Sequence, residues 1–212
     1  MKDPIIITGA PRSRTSLVTQ IVEISGCFLG EVIQATRANP QGQKENRGII
    51  DKVQKIHLKN HGYDPMGQKP LPPLYFNKPD ISRKHRVLEI MKTQGLKDQI
   101  WGFKDAKAVL DWRTWEQAFP NIKWIVVRRK DSDIVKSCLK TSFMRKYNCK
   151  AGWQDWLDDY KLRMKDLQEK GNNVQTVNTD DLISYKFDKM QEIIENLDLE
   201  WKEKKVRNQI KP

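Results

Sequence analysis

The feature that most constrains the fold is a strand, loop and helix pattern near the start of the chain. The isoleucines at 5–7 predict a buried strand, and Gly9 and Pro11 end that strand in a turn. An apolar helical stretch follows at 17–24. Because the N–H groups and the dipole of a helix N-terminus attract anions, this pattern predicts a phosphate or sulfate site. The connecting loop adds guanidinium and hydroxyl groups: Arg12, Ser13, Arg14, Thr15 and Ser16.

The remainder of the chain alternates short apolar segments with amphipathic ones. Further strands are predicted at 100–103, 123–127 and 174–177. Helices are predicted at 49–60, 82–93, 111–119, 131–143, 153–170 and 187–197. The alternation favours an α/β fold of P-loop-like type, a three-layer sandwich with a central, mostly parallel sheet flanked by helices. A length of 212 residues suits a single domain, 1–212.

Charged residues follow three of the predicted strands. Residues 12–16 follow the first strand, Lys104 and Asp105 the second, and Arg128 and Arg129 the third. Ligands bind beyond the carboxyl ends of the strands in parallel sheets, so we expect these residues to converge on one site. A simple ion pair between Lys104 and Asp105, and a solvated end for the third strand, are the alternatives.

The composition favours an anionic partner. The chain has 39 Lys and Arg against 27 Asp and Glu, a formal charge of +12. A phosphorylated cofactor, an acidic glycan, a nucleic acid or a membrane surface would each suit that charge. Three cysteines without a Cys-x-x-Cys pair do not form a disulfide framework, which favours a reducing compartment. With no apolar leader or membrane span in the sequence, we expect a cytoplasmic protein.

The first loop departs from the common nucleotide-binding pattern. The Walker A motif requires Gly-x-x-x-x-Gly-Lys-Ser/Thr. From Gly9 the chain reads Gly-Ala-Pro-Arg-Ser-Arg-Thr-Ser, so Arg14 replaces the second glycine and Thr15 replaces the lysine. Without the lysine that reaches the terminal phosphates, an ordinary ATP or GTP enzyme is not expected. Arg12 can still supply charge to one anionic group.

Two segments resemble a known family. Residues 9–17 resemble the 5′-phosphosulfate loop of the sulfotransferases that use 3′-phosphoadenosine-5′-phosphosulfate (PAPS), in which Pro-Lys/Arg-Ser-Gly-Thr-Ser/Thr is usual. Residues 124–137 resemble the family's 3′-phosphate motif, a strand ending in Arg with a Ser eight residues later. Arg129 and Ser137 fit that spacing, and Arg128 does not.

Three more segments extend the resemblance along the chain. Lys104, in Gly-Phe-Lys-Asp, resembles the family's central lysine. Residues 39–46 resemble the Asn-Pro-x-Gly-x-x-Glu segment of many bacterial members, and 178–201 resemble the family's closing Asp-Leu to Leu-x-Trp region. The ordered set covers residues 5 to about 205, so the chain is identified as resembling a bacterial-type PAPS-dependent sulfotransferase.

The resemblance implies transfer of a sulfuryl group from PAPS, leaving PAP as product, to a hydroxyl or amine acceptor. Arg12 and the N–H groups of 13–16 would bind the 5′-phosphosulfate, and Arg129 with Ser137 the 3′-phosphate. Lys104 would stabilise charge near the moving group, which carries little charge, so no metal is expected. The predicted cofactor-binding residues are Arg12, Ser13, Arg14, Thr15, Ser16, Arg129 and Ser137.

A carboxylate is the expected general base for the acceptor's proton. Glu45 is the first choice, because it lies in the loop after the first helix and matches the family segment, and Glu31 is the second. The catalytic residues expected are thus Arg12, Lys104 and Glu45. His57 and His61 are outside choices; spaced as i and i+4 they would suit zinc, but no third ligand is evident.

The irregular loops 27–48 and 62–80 are the expected rim of the acceptor site, since loops this long are usually functional. The acceptor expected is a small molecule or saccharide, with a lipid as an alternative, and no nucleic acid is expected as a partner. Two other classes stay open: a P-loop-like small-molecule kinase and a non-enzymatic nucleic-acid binder. Arg14 needs explanation, because a position that requires positive φ would strain a non-glycine residue.

Overall fold

The computed structural model describes residues 2–34 and 42–210. Its centre is a four-stranded parallel sheet in the order β2-β1-β3-β4. The strands are β1 Ile5–Gly9, β2 Gly102–Lys104, β3 Lys123–Arg128 and β4 Val174–Asn178. Since β1 lies between β2 and β3, the loops that follow these three strands meet at one edge of the sheet.

Side chains of the central strands alternate between two apolar cores. Ile6, Trp124 and Val126 belong to one core, and Ile5 and Ile125 to the other. The alternation follows from the two-residue period of a strand. All of these strand residues are buried, as expected for a parallel sheet covered on both faces. The predicted α/β three-layer arrangement is therefore confirmed.

Helices cover both faces of the sheet. α1 packs with α9 and α10 on one side, whereas α4, α5, α6 and α7 contribute to the core on the other side. The helices are α1 Thr15–Ile24, α2 Arg47–Ile49, α3 Lys55–Asn60, α4 Arg83–Thr93, α5 Trp112–Ala118, α6 Asp131–Lys140, α7 Lys150–Lys170, α8 Thr179–Ile183, α9 Asp188–Asn196 and α10 Glu203–Arg207.

Two elements differ from the sequence prediction in ways that shape the site. The helix predicted at 49–60 begins at Arg47 and contains a π-helical turn at Ile50–Gln54 between α2 and α3. The helix predicted at 131–143 ends at Lys140, because Thr141 has an extended backbone with ψ of 120°. Residues 141–149 are thereby free to form a further loop beside the sheet edge.

Candidate active site

A cleft of about 580 Å³ lies at the carboxyl ends of β1, β2 and β3. The three groups of charged residues that follow these strands all contribute to it, as the topology requires. Its lining residues are Pro11, Arg12, Arg14, Thr15, Ser16, Ile33, Gly42, Gln43, Glu45, Arg47, Ile50, Asp51, Lys55, Met66, Lys104, Ala106, Lys107, Arg129, Phe143 and Met144.

The loop between β1 and α1 has an unusual backbone. Gly9 has a φ of 152°, and a Cβ atom there would lie 2.6 Å from the carbonyl oxygen of Val127. Arg12 and Arg14 adopt the left-handed region, with φ of 76° and 64°. Left-handed backbone costs a non-glycine residue about 1 kcal/mol or more. Strain of this kind concentrates at functional sites, and here it occurs twice within three residues.

The same loop leaves N–H groups available at the start of α1. Arg14 is the N-cap and its side chain makes no capping hydrogen bond. Within the described ranges, the N–H groups of Arg14, Thr15 and Ser16 donate to no partner, whereas that of Ser13 donates to the Ala10 carbonyl at 3.1 Å. Ser13 is fully buried and does not line the cleft. The backbone N–H groups of the loop that are available to an anion therefore begin at Arg14.

Arg12 connects the first loop with the third strand end. Its Nε donates to Ser137 Oγ at 2.9 Å, and Arg129 Nη1 donates to the Arg12 carbonyl oxygen at 2.9 Å. Residues more than 100 positions apart in sequence thus form one cluster. Burial lowers the pKa of Arg129, and the neighbouring charges of Arg14 and Arg12 lower it further. This like-charge repulsion is what a bound anion would relieve.

Lys104 and Glu45 form an ion pair in the middle of the cleft. Lys104 Nζ lies 3.1 Å from Glu45 Oε1 and donates to the Gln43 carbonyl oxygen at 2.8 Å. Ser16 Oγ donates to the same carbonyl at 3.0 Å. Burial acts to raise the pKa of Glu45, but the ammonium groups of Lys104 and Lys107 outweigh it and leave the pKa below its usual value. Glu45 is therefore ionised at neutral pH.

Lys104 and Asp105 do not pair with each other. Successive residues at a strand end point in opposite directions, so Lys104 reaches Glu45 while Asp105 turns into the protein. Asp105 is fully buried and its Oδ1 lies 2.8 Å from Lys107 Nζ. Lys107 also lines the cleft, and the sequence analysis missed it. The sequence signal that could have identified Lys107 as a cleft residue was its position three residues after Lys104.

The other base candidates lie outside this cleft. Glu31 is exposed and does not line it. His57 and His61 line a separate pocket of about 350 Å³. Burial, then the nearby charge of Arg83, lowers the pKa of His57 to about 4. Over residues 2–34 and 42–210, no group of three His, Cys, Asp or Glu side chains is arranged to bind a metal.

Several segments supply the rest of the cleft wall. Loops 27–48 and 62–80 each contribute, through residues such as Ile33 and Met66. The loop 141–149 and the π-helical turn also contribute, and neither was predicted to do so. Residues 39–41 of the Asn-Pro-x-Gly-x-x-Glu segment lie outside the described residues. The apolar part of the wall consists of Ile33, Ile50, Met66, Ala106, Phe143 and Met144.

Known proteins resemble this chain in sequence pattern and in fold. The sequence model of the sulfotransferase family matches residues 4–203. No curated protein matches the sequence. Because the family model covers nearly the whole chain, the protein belongs to the sulfotransferase family, and the predicted family and enzyme class are confirmed.

Solved structures share the fold at low sequence identity. The sulfotransferase domain of the curacin biosynthetic pathway is 11% identical with a TM-score of 0.63, covering 100% of this chain and 79% of that one. The sulfotransferase of Alicyclobacillus acidocaldarius is 12% identical with a TM-score of 0.56, covering 93% and 81%. Mouse sulfotransferase SULT7A1, crystallised with PAP, is 11% identical with a TM-score of 0.54, covering 99% and 63%.

No helix in the described part of the chain is both long and apolar enough to cross a membrane. The longest, α7, has 21 residues and many charged side chains.

Proposed function

We propose that the cleft binds PAPS and that the enzyme transfers the sulfuryl group to a hydroxyl or amine of an acceptor with an apolar portion. The observation that carries the proposal is the convergence of Arg12, Arg14 and Arg129 on one end of the cleft, beside N–H groups at the start of α1 that donate to no partner among the described residues. Such a set fits two separated anionic groups on one ligand. Family membership and the PAP complex of the mouse structure support the choice of donor.

The residues present divide between the two ends of the donor. Arg12, Arg14 and the N–H groups of 15–16 are suited to the 5′-phosphosulfate. Arg129 and Ser137, both in contact with Arg12, are suited to the 3′-phosphate. Ser137 Oγ already accepts a hydrogen bond from Arg12, so its own proton remains available for a phosphate oxygen.

The residues at the end of β2 would perform the transfer. PAPS, when bound, supplies the sulfuryl group. Lys104 is placed to stabilise charge that develops on the bridging oxygen as the sulfur–oxygen bond breaks. Glu45 accepts the acceptor's proton as the new sulfur–oxygen bond forms, and PAP departs. Since Glu45 is ionised at neutral pH, it is in the protonation state that a base requires.

The acceptor would enter between the described parts of the loops at 27–48, 62–80 and 141–149 of this single-domain chain. Met66 and Phe143 are large apolar side chains that remain 42% and 43% exposed at the cleft. Exposed apolar side chains grouped at a cleft favour a ligand with apolar surface over a bare saccharide. The described cysteines, Cys27, Cys138 and Cys149, are free, which supports a cytoplasmic setting.

Calorimetry with PAP, 3′-dephospho-PAP and ATP tests the donor assignment. We expect PAP to bind at least about 100-fold more tightly than 3′-dephospho-PAP, because two charge-assisted contacts are lost with the 3′-phosphate. ATP binding in preference to PAP would instead favour a kinase. A transfer assay with PAPS and matched alkyl, phenolic and sugar alcohols then tests the acceptor, and a best rate with the sugar would contradict the apolar acceptor.

A further inference from the structure

Lys107 provides a second ammonium group near Glu45, and the proposed transfer mechanism gives this group no role. The side chains of Lys107 and Asp105 are 8% and 0% exposed, and their charged atoms lie 2.8 Å apart. A carboxylate and an ammonium withdrawn from water together contribute little net stability. Lys107 nevertheless lines the cleft with Lys104 and Glu45. Its position at the reacting end of the cleft indicates a role in the reaction.

During the reaction, the Lys104 ammonium has to interact with two anionic groups: the Glu45 carboxylate and the bridging oxygen of the donor. In the structure its Nζ contacts Glu45 Oε1 and the Gln43 carbonyl oxygen. Sulfuryl transfer requires the same ammonium to face the bridging oxygen of the donor. Glu45, whose side chain is only 17% exposed, would then lose its hydrogen-bonded cation. A buried carboxylate without a nearby cation takes up a proton and can no longer act as a base.

We propose that Lys107 is a positioning residue that keeps Glu45 ionised when Lys104 is committed to the donor. This inference rests on the proposed function. Among the described residues, the cations whose charges lower the pKa of Glu45 are Lys104 at the end of β2, Lys107 after it, and Lys55 of α3. Lys55 is 35% exposed and lies 2.7 Å from Asp51, so solvent and that carboxylate weaken its effect. Lys107 is the buried cation that remains.

The charges around Lys107 suit this role. Burial lowers the pKa of Lys107, but Asp105 and then Glu45 raise it more strongly, so the ammonium keeps its proton. Glu45 takes the acceptor's proton, the acceptor oxygen forms the bond to sulfur, and the bridging bond breaks with its electrons on PAP. Lys107 exchanges no proton in this step. Asp105 fixes its position through the ion pair and through accepting the Lys107 N–H at 2.9 Å.

The protonation of Glu45 can be measured directly by carbon-13 NMR of glutamate carboxyl groups, with Glu45→Gln to assign the signal. The titration is recorded with saturating PAP and, separately, in a Lys104→Gln background that removes the first cation. In both settings we expect Lys107→Gln to raise the midpoint of Glu45 by about one pH unit. Lys107→Arg retains the charge and should restore the midpoint.

Asp105→Asn should shift the Glu45 midpoint in the direction opposite to that of Lys107→Gln. It removes the negative charge that partly neutralises Lys107, so the Glu45 midpoint should fall. Folding damage alone would not move the midpoint in opposite directions in the two variants, and thermal unfolding monitors that damage. If Lys107→Gln shifts the midpoint by less than about 0.3 pH unit in the Lys104→Gln background, the inference is wrong. Failure of the wild type to bind PAP would overturn the proposed function instead.

Discussion

The two ends of the cleft differ in whether their positive charges are paired with carboxylates. At the ends of β1 and β3, the guanidinium groups of Arg12 and Arg14 have no carboxylate within ion-pair distance among the described residues, and Arg129 has only Asp133 at 3.7 Å. Toward the end of β2, each of the three described lysines that line the cleft, including Lys55 of α3, has a close carboxylate. These pairs are Lys104 with Glu45, Lys107 with Asp105, and Lys55 with Asp51.

This difference indicates that one end of the cleft is suited to binding the donor and the other to catalysing the transfer. The unpaired guanidinium groups repel one another until an anion binds between them. The first end therefore favours binding of a multiply charged ligand. Paired charges attract ligands weakly, but small movements redistribute charge between them and change which group carries a proton. The first end is therefore suited to holding the donor, and the second to transferring a group and a proton.

The largest expected effect is a loss of transfer rate when the central lysine of the paired end is replaced. Lys104→Ala removes the cation that faces the developing charge, and we expect the transfer rate to fall about 1000-fold. PAP affinity should change by less than about fivefold, because the binding cations lie at the other end. Steady-state rates with the best acceptor, together with calorimetry, measure both. A near-normal rate in a folded variant would contradict the assignment of Lys104.

Removing a guanidinium from the unpaired end should act on binding. Arg12→Ala loses a charge and the contact to Ser137, and PAP affinity should fall about 100-fold. Lys55→Gln is the matched control, since it removes a cleft cation that Asp51 already neutralises. Its PAP affinity should change by less than about threefold. Equal losses in the two variants would show that the distinction between the two ends is wrong.

The 3′-phosphate assignment gives a smaller, more selective effect. Arg129→Gln should weaken PAP about 30-fold and leave 3′-dephospho-PAP nearly unchanged, since that ligand lacks the group Arg129 would contact. Arg128→Gln serves as the control, because Arg128 contacts Gln168 and does not line the cleft. Calorimetry with the two nucleotides compares the variants. Equal weakening of both ligands by Arg129→Gln would place the 3′-phosphate elsewhere.

The smallest effect concerns backbone strain. Arg14→Gly relieves a left-handed non-glycine residue, so the free energy of unfolding should rise by about 1 kcal/mol. PAP affinity should fall by about fivefold to tenfold through the lost charge. Chemical denaturation and calorimetry measure the two quantities on the same samples. A variant with greater stability and unchanged affinity would show that Arg14 does not contact the donor.

Much of the unpaired end could be predicted from the sequence. Strand, loop and helix follow from local periodicity, and glycine and proline mark the turn. Arg129 lies between β3 and α6, Ser137 lies in α6, and both contact Arg12. The contact of Arg12 with both residues required only that β1 and β3 be neighbours in a parallel sheet.

The paired end could not be predicted to the same extent. Its wall includes a π-helical turn, which has no strong local signal. The same holds for Phe143, which lies near Arg12 at the other end: it was expected inside a helix and instead lines the cleft. Glu45 was chosen because it lies in the loop after the first helix and matches the family segment. Nothing in that segment indicated that Lys104 would approach it or that Lys107 would lie beside both.

By itself, the sequence determined the four strands, most of the helices, the strand–loop–helix pattern at the start of the chain, and the family. These depend on residues close together in the chain, whose periodicity and turn chemistry act locally. Tertiary structure alone decided which charge pairs with which: Lys104 with Glu45, and Asp105 with Lys107 rather than with its sequence neighbour. Ion pairing depends on side-chain direction at a strand end and on the return path of distant loops. Both are settled only when the cores on the two faces of the sheet pack.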